Sequence, residues 1–335
     1  MNRFSLILLM ILLTQGCKNG NPVSESSSSD IEPFTIQRVS EYDFRIVNMV
    51  YMDPDGVPFI GTLESLDRFF NEINNFAVVG NQIIQDPKRV KIFADKYYVS
   101  TGSGLIASSS NGKVWKEEIN IGEEVSDFTV LASGTMIFGA EEGVYIKKSA
   151  DQTARFIRLF EESFLFRPVG NQMIESANGS IMATAFNGLY QSSDDGETWS
   201  KISGEFSADE NNLTFLKKLA DGTILLGAKS KLYSSSDNGA SWSVHQINGV
   251  TPYEFFRRGN IDYMHGDGSL YTSLKGEFNF EKVFVTLEYQ ERTGEFIGAL
   301  YPLYFDADRL IFSAGDGVFT AKKNNNSYFW DNYQN

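Results

Sequence analysis

An all-β fold of recurring four-stranded sheets is the prediction, and three observations in the sequence carry it. An eight-residue phrase reads SSDDGETW at 192–199, SSDNGASW at 235–242 and, in a looser copy, SSSNGKVW at 108–115. The two full copies lie about 43 residues apart, the period of a propeller blade. Short apolar runs around them alternate with turn dipeptides such as Asn178-Gly179, Asp221-Gly222 and Ser133-Gly134, hairpin signals between strands. The architecture expected is a β-propeller of about seven four-stranded blades, with six or eight as alternatives.

The chain begins with a targeting segment. Asn2 and Arg3 precede an apolar stretch from Phe4 to Leu13, suited to a signal peptide and too short to span a membrane. Thr14-Gln15-Gly16-Cys17 follows and resembles a bacterial lipobox. That resemblance implies a signal peptide at 1–16 and a mature N-terminus at a lipidated Cys17. Several acyl chains on one residue would give durable membrane anchoring. Cys17 is the only cysteine, so no intrachain disulfide contributes to the fold. The Ser-rich run that follows cannot bury enough surface to order itself, so 17–33 is read as a flexible tether.

Residues 34–332 are read as one propeller domain. The best-defined unit has expected strands at 171–177, 181–186, 188–192 and 198–202, and the next unit repeats it at 213–219, 223–228, 232–235 and 241–246. Third-strand anchors fall near Leu63, Leu105, Val144, Leu189, Leu232, Leu270 and Val318, which gives the count of seven. No long amphipathic helical period appears, and 66–73 is read as a short helical turn. An open ring would expose strand edges. The alternating segment 34–39 is therefore expected to pair into a final blade built from 297–305, 310–314 and 318–321.

Each octapeptide is expected to be a hairpin turn. Its Asp accepts backbone N–H groups in an Asx-type closure, its Gly takes the left-handed angles, and its Trp buries an aromatic ring between neighbouring blades. The positions concerned are Ser192, Asp194, Gly196, Thr198 and Trp199; Ser235, Asp237, Gly239, Ser241 and Trp242; and, in the looser copy, Ser108, Gly112 and Trp115. The phrase resembles the Asp-box, or BNR repeat, S-x-D-x-G-x-T-W. That resemblance implies the architecture of Asp-box propellers such as sialidases, sortilin-type receptors and photosystem II assembly factors, with the boxes away from the functional face.

Composition excludes several functions. The formal net charge is -14 over 335 residues, whereas a nucleic-acid-binding surface needs a basic footprint. Two histidines and one anchoring cysteine leave no metal-ligand spacing, and Asp53-Pro54-Asp55-Gly56 lacks the later ligands of a calcium loop. No cofactor motif is present, so no cofactor or metal is expected. A sialidase would need three arginines, a Tyr/Glu pair and an Asp. Arg167-Pro168 lacks the intervening residue of the family's Arg-x-Pro phrase, and the adjacent Arg257 and Arg258 would point to opposite faces of a strand. No catalytic residue is assigned. Loop carboxylates at Glu141, Glu142, Asp267 and Asp316 keep another glycosidase open, since such enzymes need two carboxylates at a defined separation.

Two segments, 160–168 and 251–258, mix aromatic residues with Arg and are read as inter-blade links on the face opposite the boxes. Phe164, Phe166, Arg167, Tyr253, Phe256 and Arg257 are the candidate binding residues. The expected role is a non-catalytic binding or assembly module, lipid-anchored in a bacterial cell envelope at the outer membrane or cell surface. Its partners would be the membrane through Cys17 and a protein or glycan ligand, with a monomeric domain and no nucleic acid. The alternative is a surface glycoside hydrolase.

Overall fold

The computed structural model describes residues 34–39, 47–52, 57–70, 75–79, 83–140, 143–159, 172–185, 187–207, 213–247, 249–283, 285–289, 292–295, 303–306, 309–314 and 317–322. Cys17 and the expected leader and tether lie outside them, as do Phe164, Phe166, Arg167, Glu141, Glu142 and Asp316.

Six four-stranded antiparallel sheets follow one another in sequence, each with its strands in chain order. Blade one comprises Val47–Met52, Pro58–Thr62, Leu66–Phe70 and Asn75–Val79. Blade two comprises Pro87–Phe93, Lys96–Thr101, Leu105–Ser109 and Lys116–Asn120. Blade three comprises Phe128–Val130, Met136–Gly139, Gly143–Lys147 and Arg155–Arg158. Blade four comprises Met173–Glu175, Ile181–Ala185, Gly188–Ser192 and Ser200–Ile202. Blade five comprises Leu213–Lys218, Ile224–Ala228, Lys231–Ser235 and Ser243–Gln246. Blade six comprises Pro252–Arg258, Ile261–Gly266, Ser269–Leu274 and Glu281–Val283.

The remaining strands form one six-stranded sheet in the order Arg292–Glu295, Val285–Tyr289, Phe34–Val39, Gly317–Lys322, Arg309–Ala314, Leu303–Asp306. Its Leu303–Asp306 strand contacts the first strands of both blade six and blade one. Phe34–Val39 pairs antiparallel with Gly317–Lys322, as the alternation in the sequence predicted. Its other edge takes the hairpin 285–295 in parallel, which the sequence reading did not foresee. The expectation of about seven four-stranded blades is thereby corrected to six. The segment counted as a seventh recruits both the N-terminal strand and an extra hairpin.

The strand pattern follows from packing. A blade's two faces both lie against neighbours, so its second strand is apolar or small on both sides. IMATA at 181–185 and ILLGA at 224–228 are buried at every residue. Fourth strands face solvent and are polar, as in KEEIN at 116–120. The core is a series of clusters between consecutive blades. Phe59, Leu66, Val99 and Trp115 join blades one and two. Ile137, Val144, Ile181 and Tyr190 join blades three and four. Met182, Leu226, Tyr233 and Trp242 join blades four and five.

Blade one departs from two expectations. Leu63, taken as a third-strand anchor, is 50% exposed in the turn between the second and third strands. The segment read as a helical turn contains the third strand itself, Leu66–Phe70. Apolar residues at 66, 69, 70 and 73 have helical spacing, but cross-strand pairing prevails: Leu66 opposes Gly61 and Val79, and Phe69 opposes Phe76.

Candidate functional site in the axial cavity

The two full octapeptides build nearly superimposable turns. Ser192 Oγ accepts the Gly196 N–H at 2.8 Å and donates to Asp194 Oδ1 at 2.8 Å. Asp194 Oδ1 also accepts Thr198 N–H at 2.8 Å, and its Oδ2 accepts the Thr198 hydroxyl at 2.5 Å. Ser235, Asp237, Gly239 and Ser241 repeat these four bonds at 2.8, 2.8, 2.8 and 2.5 Å. The two Trp N–H groups close on the Gly carbonyls, Trp199 to Gly196 at 2.8 Å and Trp242 to Gly239 at 3.1 Å. Hydrogen bonds from Ser241, then Ser235, hold the Asp237 carboxyl down at about 2, and Thr198 depresses that of Asp194. Every carboxylate oxygen here is engaged in the turn, which makes these Asp residues structural.

The looser copy is corrected by one residue. Ser109, not Ser108, accepts the Gly112 N–H at 2.9 Å, and Asn111 Oδ1 accepts Lys113 and Val114 N–H at 2.9 and 3.1 Å. Ser108 instead donates to Glu118 at 2.5 Å. The shorter turn leaves Trp115 Nε1 buried without a hydrogen bond, the residue being only 3% exposed. Each Trp faces the preceding blade; Trp199 is half-buried, Trp242 and Trp115 fully so.

The ring axis holds a cavity of about 520 Å³, lined among the described residues by the first strands of all six four-stranded blades. Its polar lining is organised around blade edges. Lys91 of blade two forms a 2.6 Å ion pair with Asp127 at the start of blade three. The same ammonium donates to the Phe128 carbonyl at 2.7 Å and the Met173 carbonyl at 3.1 Å, so one lysine ties three blades. Asp127 is almost fully buried and also accepts the Phe128 and Met173 N–H groups, each at 2.8 Å. Burial lowers the Lys91 pKa, with Asp127 opposing. Gln172 Oε1 of blade four accepts Leu216 N–H of blade five at 2.5 Å. Thr214 donates to the Pro252 carbonyl of blade six. Lys217 pairs with Glu254 at 2.8 Å and lies 4.2 Å over the Phe256 ring. Arg89, Lys218, Glu175, Tyr51 and Phe93 also line the cavity.

The candidate binding residues separate. The segment 251–258 is not a link: residues 252–258 are the first strand of blade six. Phe256 lines the cavity, whereas Tyr253 is exposed at the opposite end of that strand, its ring centroid 6.1 Å from that of His265. Arg257 sits by the turn to the second strand, on the octapeptide side. It donates bidentately to buried Asp262 of the same blade at 2.6 and 2.9 Å and to Asp221 near blade five at 3.0 Å, so its donors are spent within blade six and on tying that blade to blade five. Burial pushes His265 down to about 4. One Tyr/Glu contact that bears on a sialidase-like set is Tyr145 to Glu123 at 2.5 Å. It lies outside the cavity lining, and burial with that bond pushes the phenol up to about 12, away from a nucleophile. Sequence reasoning missed Arg89, Lys91, Lys217 and Glu254. The available signal was the charged residues inside the first strands of blades two, five and six, PKRVKIF, LTFLKK and PYEFFRR.

The fold and cavity define a β-propeller with a polar axial site. No family model matches the chain, and no curated protein matches it. Solved structures similar to it are β-propellers. The extracellular domain of BT4673 from B. thetaiotaomicron aligns with TM-score 0.65 and 13% identity over 88% of this chain and 40% of that one. The chain thus spans about two fifths of the length of that extracellular domain. A catalytically inactive virginiamycin B lyase from Staphylococcus aureus, with quinupristin, aligns with TM-score 0.63 and 12% identity over 87% of this chain and 99% of that one. YCF48 bound to D1 peptide aligns with TM-score 0.60 and 13% identity over 88% and 98%. At these identities the likeness extends to the fold alone.

Proposed function

We propose that the chain is a non-catalytic binding module of a bacterial cell envelope, lipidated at Cys17, that takes its ligand at the axial cavity. The observation that carries this reading is the use of the cavity's ionisable groups. Lys91, Asp127, Lys217 and Glu254 are locked into bonds between blades, whereas acid–base catalysis needs groups free to exchange protons with a substrate. The envelope assignment draws support from the lipobox-like Gly16-Cys17 and from the extracellular position of the BT4673 domain. The octapeptide turns support the finer assignment to the Asp-box repeat, since Ser, Asp, Gly, Thr or Ser and Trp each hold the place that the motif gives them.

A glycosidase reading retains one observation in its favour: Glu175 and Glu254 both line the cavity. A Cys17→Ser chain, purified from the soluble fraction, separates the two. It is screened on a glycan array and against methylumbelliferyl glycosides. Saturable binding without turnover is expected; turnover abolished by Glu175→Gln would overturn the binding reading.

A further inference from the structure

Among the described residues the cavity's charges do not balance, and the excess lies in groups that make no hydrogen bond or ion pair with another of them. Four cations line it, Arg89, Lys91, Lys217 and Lys218, against three carboxylates, Asp127, Glu175 and Glu254. Asp127 and Glu254 are already committed, to Lys91 at 2.6 Å and Lys217 at 2.8 Å. Asp127 fills its remaining acceptor positions with two backbone N–H groups, and Glu254 accepts the Phe255 N–H at 3.0 Å. With Glu175 also in the lining, the excess is one positive charge. Arg89 and Lys218 have no carboxylate partner within ion-pair distance among the described residues. One of them carries a planar fork of donors suited to bidentate capture of an oxyanion. The contrast with the whole molecule is sharp, since the chain's net charge is -14. In an acidic protein, a cation-rich concavity is where the field reverses and an anion concentrates.

We propose that the axial cavity is a site for a small organic carboxylate, held by Arg89 and Lys218 with its apolar part against Tyr51 and Phe93. This deepens the binding-module reading and rests on it. The volume of about 520 Å³ suits a ligand of that class, within the roughly 300–1,000 Å³ of small-molecule sites. The aromatic rings supply the apolar wall such sites use, and the two cations supply orientation. Lys91 contributes field without direct contact, because its three donors are occupied.

The test uses two probes with the same aromatic frame, one of which carries a sulfonate. The Cys17→Ser chain is titrated with anilinonaphthalene sulfonate and with neutral phenylnaphthylamine, followed by fluorescence. One saturable site per chain is expected, with the sulfonate bound at least about tenfold more tightly than the neutral parent and weakened by salt. Phenylacetate should displace the sulfonate, and phenylacetamide should not. Arg89→Met and Lys218→Met should each weaken the sulfonate by about tenfold. Neither variant breaks a hydrogen bond among the described residues, and unfolding midpoints verify that both remain folded. Lys148→Met removes an exposed cation paired with Glu197 outside the cavity and should leave affinity unchanged. Equal affinity for the two probes, no saturable binding of the sulfonate, or indifference to both cavity substitutions overturns the proposal. Such a failure leaves the binding-module reading to be decided separately by the glycan array and turnover assays.

Discussion

Gly196→Ala tests the packing of one blade on the next. Gly196 has φ of 86°, and an added Cβ would sit 2.7 Å from Ile137 Cδ1 and 3.3 Å from both Ile137 Cγ1 and Ile146 Cδ1, all on blade three. Two costs are therefore superimposed. Left-handed backbone costs a residue with Cβ about 1–2 kcal/mol, and forcing atoms into a packed interface adds about 1–3 kcal/mol. Gly222 separates them: its φ is 87°, but a Cβ there would meet nothing within 4 Å. Gly222→Ala also lowers the entropy of the unfolded chain, a gain of about 0.4–1 kcal/mol, so its net loss should be about 1 kcal/mol. Gly196→Ala should lose about 2–4 kcal/mol by the same sum. Urea unfolding of both variants, compared at equal slope, measures the difference. Equal losses would show that the octapeptide glycine serves its turn alone and that the blades do not meet there.

Three further outcomes follow from the same geometry. Lys91→Met leaves Asp127 buried and without its cation, which should cost about 3–5 kcal/mol; Lys217→Met breaks a pair whose members are each about a third exposed and should cost no more than about 1 kcal/mol. Similar urea midpoints for the two variants would contradict the central place given to Lys91. Asp237 has its carboxyl depressed from 3.8 to about 2, so its contribution to stability is fully present above pH 3.8 and is lost as the pH falls through about 2. The gap between wild type and Asp237→Asn should therefore narrow over that window in a pH series of midpoints; a constant gap would refute the assignment. Cys17→Ser should move the protein from the membrane to the soluble fraction, and unchanged partitioning would count against lipidation.

The parts of the fold legible in the sequence are those buried on two sides. The second strands of blades four and five were expected at 181–186 and 223–228 and are found at Ile181–Ala185 and Ile224–Ala228, because a strand between two neighbouring blades must be apolar or small at every position. The octapeptide turns were legible because their chemistry is local: Ser, Asp and Gly act within a few residues of one another. The looser copy was misread by one residue for the same reason. With Ser at 108, 109 and 110, only the observed hydrogen bonds decide which hydroxyl serves Gly112. The axial site was hidden because its partners are distant in sequence. Lys91 meets Met173 across 82 residues, and although a charge inside a first strand marks Lys91, nothing local names its partner. Pro252 and the paired arginines at 257 and 258 made a strand resemble a link.

The inner edge of each blade explains which cavity charges are structural and which are spare. A first strand pairs with its own second strand on one side only, so its other edge presents unpaired N–H and C=O groups to the axis. Burying such groups without partners is costly. The observed polar side chains answer that requirement one by one: Lys91 takes the Phe128 and Met173 carbonyls, Asp127 the Met173 N–H, Gln172 the Leu216 N–H, and Thr214 the Pro252 carbonyl. Lys217 and Glu254 extend the belt from blade five to blade six. Removing any of these should loosen the ring. Among the described residues Arg89 and Lys218 bond to no edge group and to no carboxylate, yet they stand in the same cavity. Two solvated cations would be placed there at no benefit to the fold, and that surplus is the reason to look for an anion between them.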